Sequence, residues 1–225
     1  MTGTPPRLLA DLRAVIFDMD GVLVDSEPVN FQAMRRLLAR YGLEYTEEDD
    51  RRFRGRRNLD LFATLRAAHP SLPREAELDG EYTALLTSLI RQSCRSLPGV
   101  PDVLHLLAAR GYRLALASSS TPGVIAETLR SLGIDGVFAL TVSGVEVPQG
   151  KPAPDIFLEA ARRLHLPAAQ CVVIEDSRNG VLAAVAAGMP CVAVPCALTQ
   201  DEDLHEATVR LDTLPELLPL LPARS

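Results

Sequence analysis

The sequence lacks several features that would place it in other functional classes. Its four cysteines (Cys94, Cys171, Cys191 and Cys196) form no CxxC pair and sit in no secretory context, so buried, reduced thiols are expected. There is no run of eighteen apolar residues and no basic leader with a small-residue cleavage site, which predicts a cytoplasmic protein away from the membrane. A formal net charge of −6 without a long basic run argues against nucleic acid or an anionic membrane as the main partner. Lysine is nearly absent as well. Of 23 lysines and arginines only one, Lys151, is a lysine.

What is present is an alternation. With 225 residues and 47% hydrophobic content, the chain can bury a substantial core and carry a small insert besides. Short apolar runs recur with helical stretches between them, the pattern of an α/β fold on a parallel sheet. Strands are predicted at Ala14–Phe17, Tyr112–Ala117, Phe138–Val142, Cys171–Ile174 and Cys191–Val194. Each ends in polar or glycine-containing sequence, at the edge where open α/β sheets bind ligands. Helices are predicted at Pro101–Arg110, Pro122–Leu132, Pro154–Leu164 and Arg178–Ala187, three of them closed by Gly111, Gly133 and Gly188. The spacing of Leu214, Leu217, Leu218 and Leu221 predicts a short amphipathic helix at the tail.

Residues 25–94 break this rhythm. They hold no convincing β run and read as helices at Pro28–Tyr41, Leu59–His69 and Glu75–Gln92, the first with a stripe of Phe31, Met34, Leu37, Leu38 and Tyr41. The expected architecture is a Rossmann-like parallel sheet with helices on both faces, formed by 1–24 and 95–225. Residues 25–94 are expected to be a small helical cap over the strand ends. Helices that merely cover one sheet face are the plainer alternative.

The chemistry collects at the strand ends. Asp18-Met19-Asp20-Gly21 follows the first strand directly. Two carboxylates so close raise each other's proton affinity unless a cation or a shared proton offsets them, and Gly21 permits a sharp turn there. Taken alone, an ordinary acidic turn reads the same way. Ser118-Ser119-Ser120-Thr121 leads from a strand into a helix, where hydroxyls and free N–H groups suit a phosphate, although serines cap many helices. Lys151, ahead of Pro152-Ala153-Pro154-Asp155, offers a compact charge with three donors. Glu175-Asp176 closes another apolar strand with the hard oxygens that Mg2+ prefers. Glu27, Asn30, Arg56, Arg57 and Asn58 are either contacts for the far end of a substrate or a solvated face. Together these parts specify phosphoryl transfer: Asp18 attacks phosphorus, Asp20 exchanges the proton, and Ser118, Ser119 and Lys151 hold phosphoryl oxygens beside Mg2+.

Four stretches occur in the order of the motifs of the haloacid dehalogenase-like hydrolases. They are the ten residues Phe17 to Ser26, Ala117-Ser118-Ser119-Ser120, Lys151-Pro152-Ala153-Pro154-Asp155, and Ile174-Glu175-Asp176-Ser177. The chain resembles the helical-cap subgroup that contains phosphoglycolate-type phosphatases and β-phosphoglucomutase, through nearly its whole length. The resemblance implies Asp18 as nucleophile and Asp20 as acid/base. It implies Mg2+ on Asp18, the Asp20 carbonyl and Asp176 with Glu175 close by, and phosphate on Ser118, Ser119 and Lys151.

Departures from the pattern narrow the choice. Dehalogenases of the group lack the second aspartate, whereas Asp20 is present. Phosphonoacetaldehyde hydrolases need a cap lysine, and Lys151 lies in the core. β-Phosphoglucomutase-like enzymes carry a cap histidine where this chain has Asn30, which cannot relay a proton in that manner. The expectation is therefore a Mg2+-dependent phosphatase for a small phosphate monoester such as phosphoglycolate or a sugar phosphate, with a phosphosugar mutase as the alternative. A monomer is expected, with a dimer left open. A binding module without turnover is the rival of another class; it would have lost the nucleophile, the lysine or a metal acid, and none is missing.

Overall fold

The computed structural model describes residues 11–53 and 58–224 (side chains of 51–53 and 58 excepted). They form two compact units, Met1–Asp25 with Arg95–Ser225, and Ser26–Cys94. After β1 (Ala14–Phe17) come four helices, α1 (Glu27–Ala39), α2 (Glu47–Phe53), α3 (Asn58–Ala68) and α4 (Glu75–Ser93). Helices and strands then alternate as α5 (Val100–Ala109), β2 (Arg113–Ser118), α6 (Pro122–Leu132), β3 (Leu140–Ser143), α7 (Asp155–Arg163), β4 (Cys171–Glu175) and α8 (Arg178–Ala186), before β5 (Cys191–Ala193) and β6 (Val209–Arg210).

The strands of the first unit make one parallel sheet in the order β3-β2-β1-β4-β5-β6. Every residue of β1 and β4 is buried, as expected of parallel strands covered on both faces. Side chains alternate between the faces. On one face Ala14, Ile16, Ala115, Ala117, Cys171 and Val173 share a core with Ile156, Phe157 and Ala160 of α7 and Val181 and Ala184 of α8. On the other lie Val15, Phe17, Leu114, Leu116, Val172 and Ile174, all fully or almost fully buried. There α5, which buries Val103, Leu104 and Leu107, packs on β2, and α6 packs on β3.

The second unit is helical. Val29, Ala33, Met34, Leu37 and Leu38 of α1 and Leu78, Tyr82, Leu86, Leu89 and Ile90 of α4 bury together, and α3 joins them through Phe62, edge-on to Tyr82 at 6.4 Å. The stripe read from the sequence is rotated. Phe31 and Tyr41 fall at its edges, Phe31 beside Tyr45 at 5.9 Å and Tyr41 donating its hydroxyl hydrogen to Glu81 at 2.6 Å. Val29 and Ala33 take the central places.

Three elements depart from expectation. Helix α2 carries Glu47, Glu48, Asp49 and Asp50 in its first turn and has no apolar period to betray it. Its N-terminus is secured instead by reciprocal bonds, Thr46 N to Asp49 Oδ2 at 2.9 Å and Asp49 N to Thr46 Oγ1 at 3.2 Å, and by acidic charge at the positive helix end. The tail buries Leu214, Leu217 and Leu221 as expected, but as a 3-10 turn at Leu214–Leu217 rather than an α-helix. Pro219 has no N–H to give the carbonyl of Pro215, and Leu218 N bonds that carbonyl at 3.1 Å. Strand β6 spans only two residues, too few to announce itself. Among the described residues no helix is long and apolar enough to cross a membrane.

Candidate active site

The strand order reverses its winding between β1 and β4, and open α/β sheets bind ligands beyond the carboxyl ends of the strands at such a point. Strand β1 delivers Asp18 there, β4 delivers Glu175 and Asp176, and β2 delivers Ser118. Asp18 N donates to Ile174 O at 2.9 Å, which sets the first carboxylate level with the second pair.

Lys151 arrives from the segment between β3 and α7. Its Nζ lies 2.5 Å from Asp18 Oδ1 and 2.5 Å from Glu175 Oε1, with the ring of Phe157 centred 5.0 Å away. The lysine side chain is 9% exposed and that of Glu175 is 1% exposed. Charges this deep are tolerated only when paired. Glu175 is saturated on its other oxygen too: Oε2 accepts from Asp176 N, Ser177 N and Ser177 Oγ, each at 3.0 Å. A Cβ on Gly180 would fall inside the Glu175 carboxylate, so only glycine fits at that point of α8. Gly21 has φ +77°, and a Cβ there would overlap the Asp176 carboxylate. The turn after Asp18-Met19-Asp20 is thereby packed directly against the last acid of the site.

The serine turn is built as tightly. Ser118 is fully buried, and its Oγ accepts from Ser120 N at 3.1 Å. Ser143, at the end of the neighbouring β3, donates its hydroxyl to Ser120 O at 2.6 Å. Gly144 brings its backbone so close to Ser119 that a Cβ would stand 3.0 Å from the Ser119 Cα. Ser119 itself is exposed, and Ser120 Oγ reaches toward Asp20 Oδ2 at 3.5 Å.

Burial pushes the Asp18 carboxyl well above the ordinary carboxylate range; Lys151 pulls it down, and Glu175 and Asp20 add to the rise. Burial works to lower Lys151, but Asp18 and Glu175 outweigh it and raise its proton affinity. Lys151 is thus held as an ammonium between two carboxyl groups. Asp176 is pushed up to about 7 by burial and then by Glu175, with Cys196 and Thr199 pulling it back.

Asp18, Glu175 and Asp176 each offer a carboxylate oxygen, and these lie within 4.8 Å of one another. Such hard oxygens fit Mg2+. With both Glu175 oxygens engaged, Asp18 and Asp176 are the acids left for a cation, and Glu175 acts as the anchor of Lys151.

The remaining expected site residues lie in the helical unit or outside the described residues. Glu27 and Asn30 stand in the first turn of α1, with Asn30 Oδ1 accepting from Tyr82 OH at 3.2 Å. Arg56 and Arg57 fall outside the described residues, as does the side chain of Asn58 at the start of α3. Ser143, Gly144, Gly180, Cys196 and Thr199 carry no role at the site in the sequence reading. For Ser143 a signal existed, a hydroxyl closing a strand near the serine turn. The others matter through neighbours remote in sequence and have no local mark.

A family model described as haloacid dehalogenase-like hydrolase matches residues 12–188. A phosphorylated carbohydrates phosphatase of Thermotoga maritima is 37% identical over 79% of this chain and 82% of that protein. Hexitol phosphatase B of Escherichia coli K12 is 30% identical over 95% of this chain and 96% of that one. The crystal structure of CbbY from Rhodobacter sphaeroides in complex with phosphate superposes with a TM-score of 0.85 at 26% identity, covering 93% of this chain and 99% of that one. With the matched model spanning the buried acids, the serine turn and Lys151, the chain belongs to the haloacid dehalogenase-like hydrolases and is an enzyme of the phosphoric monoester hydrolase kind.

Proposed function

We propose that the protein is a cytoplasmic, Mg2+-dependent phosphatase that hydrolyses a small phosphate monoester, of the phosphoglycolate or sugar phosphate type, through an aspartyl-phosphate on Asp18. The observation that carries this reading is the buried Lys151 bridging Asp18 and Glu175 at 2.5 Å each, beside the end of β2 that bears Ser118. Lys151 binds only Oδ1 of Asp18, which leaves Oδ2 to attack phosphorus. As the Asp18–phosphorus bond forms, the ester P–O bond breaks and Asp20 gives its proton to the departing alkoxide. Asp20 then takes a proton from the water that attacks the aspartyl-phosphate, and orthophosphate leaves with Asp18 restored. A positioned acid/base of this kind contributes about 10²–10⁴ in rate. Ser118, Ser119 and Lys151 hold the phosphoryl oxygens and offset the charge that builds on them. Asp18, the Asp20 carbonyl and Asp176 would hold Mg2+, which would supply further positive charge beside those oxygens.

The helical unit Ser26–Cys94 serves in this reading as the cap, with Glu27, Asn30, Arg56, Arg57 and Asn58 contacting the far end of the substrate. Asn30 favours hydrolysis over a mutase. Its carbonyl oxygen accepts from Tyr82 and its amide N–H groups can only donate, so the side chain has no group that takes up and gives back a proton. The test is orthophosphate release from a panel of phosphoglycolate and sugar phosphates with Mg2+, run beside glucose 6-phosphate formation from β-glucose 1-phosphate. Metal-dependent phosphate release is expected. Conversion to glucose 6-phosphate with little net release of phosphate would replace this reading with the mutase.

A further inference from the structure

One side chain outside the four motifs reaches the acid cluster from the far side of the sheet's switch point. After β5 the chain turns back at Cys196–Thr199, where Thr199 N donates to Cys196 O at 3.1 Å. Within that turn Cys196 N donates to Thr199 Oγ1 at 3.0 Å, and Thr199 Oγ1 donates to Asp176 Oδ2 at 3.1 Å. The direction of this chain is set by chemistry. A hydroxyl has one hydrogen, and with the backbone N–H filling an acceptor position that hydrogen goes to the carboxylate at 3.1 Å rather than to Cys196 Sγ at 3.5 Å, the weaker acceptor. Cys196 Sγ meets the same oxygen at 3.2 Å, a weaker sulfur contact.

The turn is itself fastened to the neighbourhood of Asp176. Arg178, two residues beyond it, donates its N–H to Glu202 Oε2 at 2.6 Å and its guanidinium to Asp203 O at 2.8 Å. Glu202 N returns to Thr199 O at 3.0 Å, and Leu204 is buried in the sheet core. Both donors converge on Oδ2 of Asp176, and among the described residues no donor reaches Oδ1.

We infer that Thr199 is a positioning residue for the cation site: by holding Oδ2 of Asp176 it fixes the carboxylate plane and presents the other oxygen to a divalent cation. The inference rests on the reading of Asp18 and Asp176 as the cation-binding acids. Groups that orient a metal ligand in this way are worth about 10–100-fold in metal affinity. Neither Cys196 nor the backbone replaces Thr199, since the thiol is a weak donor and the Cys196 N–H points into Thr199.

The experiment is Mg2+ titration of the full-length protein by calorimetry without substrate, on wild type, Thr199→Val, Thr199→Ser and Asp176→Asn. Valine keeps the shape and removes the donor; serine keeps the donor. Thr199→Val is expected to weaken Mg2+ binding about tenfold or more, with its melting temperature in EDTA close to that of wild type, and Thr199→Ser to restore wild-type affinity. Thr199→Ala carries the same test if the valine variant does not fold. Unchanged Mg2+ affinity in Thr199→Val, while Asp176→Asn loses binding, overturns the role of Thr199 alone. If the wild-type protein binds no Mg2+, the reading of the site falls and this inference with it.

Discussion

Replacing Lys151 with methionine tests the electrostatic arrangement of the site without any substrate. Methionine fills most of the lysine stem's volume but leaves Asp18 and Glu175, 10% and 1% exposed, without the cation they share at 2.5 Å. Removing one partner from a buried ion pair costs about 3–5 kcal/mol, most of it the stranded charge. The cost should depend on pH, because a proton can stand in for the lost cation. In the variant the native state holds a carboxyl proton that the unfolded chain, with an ordinary carboxylate pKa near 4, has released. The native state then binds more protons than the unfolded one, and stability falls as pH rises, by about 1.4 kcal/mol per pH unit for each extra proton. Because Lys151 no longer pulls the Asp18 carboxyl down, the variant keeps that proton to higher pH than wild type, and the gap between the two should widen as pH rises. The assay is urea unfolding in EDTA, followed by far-ultraviolet circular dichroism at several pH values. A variant within about 0.5 kcal/mol of wild type at pH 8, the range of ordinary surface changes, would refute the reasoning, as would a gap that stays constant with pH.

Further outcomes follow from the packing and from the buried acids. Gly180→Ala should displace Glu175 and loosen Lys151, lowering stability by about 1–3 kcal/mol as overpacked cores do. Gly123→Ala, in α6 with nothing within 4 Å of its Cβ, should instead stabilise by about 0.4–1 kcal/mol in the same urea titrations. Asp176, pushed up to about 7 from 3.8 by burial and Glu175, keeps its proton in the metal-free native state where the unfolded chain loses it. Stability without metal should thus decline across that pH window on its account. Asp176→Asn should flatten the slope by about 1.4 kcal/mol per pH unit and abolish the stabilisation given by Mg2+.

The parts of the molecule legible in the sequence are those governed by local pattern. The run Ala14–Phe17 ending in Asp18 and the run Cys171–Ile174 ending in Glu175-Asp176 identify themselves, because buried strands need unbroken apolar residues and the acids mark where burial stops. Helix α6 was bounded correctly by Pro122 and Gly133, residues with fixed meaning at helix ends. Helix α2 has no apolar period in its sequence to mark it, and the bonds between Thr46 and Asp49 that cap its start form only once it folds. The tail misleads because apolar spacing at Leu214, Leu217 and Leu221 fits a helix, while Pro219 forbids the bond a helix needs. In the site, Asp18, Ser118, Lys151 and Asp176 stood out as chemistry at strand ends. The parts that hold them, Gly180 against Glu175 and Thr199 against Asp176, are contacts created only by the fold.

The claim at the centre of this account is that Asp18 itself takes the phosphoryl group. The direct measurement is acid quenching of the enzyme during turnover of its best phosphate monoester with Mg2+, then peptide mass spectrometry. A phosphoryl group on the peptide carrying Asp18, absent from an Asp18→Asn variant that releases no phosphate, is the predicted result. Phosphate release that survives in Asp18→Asn, or a phosphoryl group on a different residue, would contradict it.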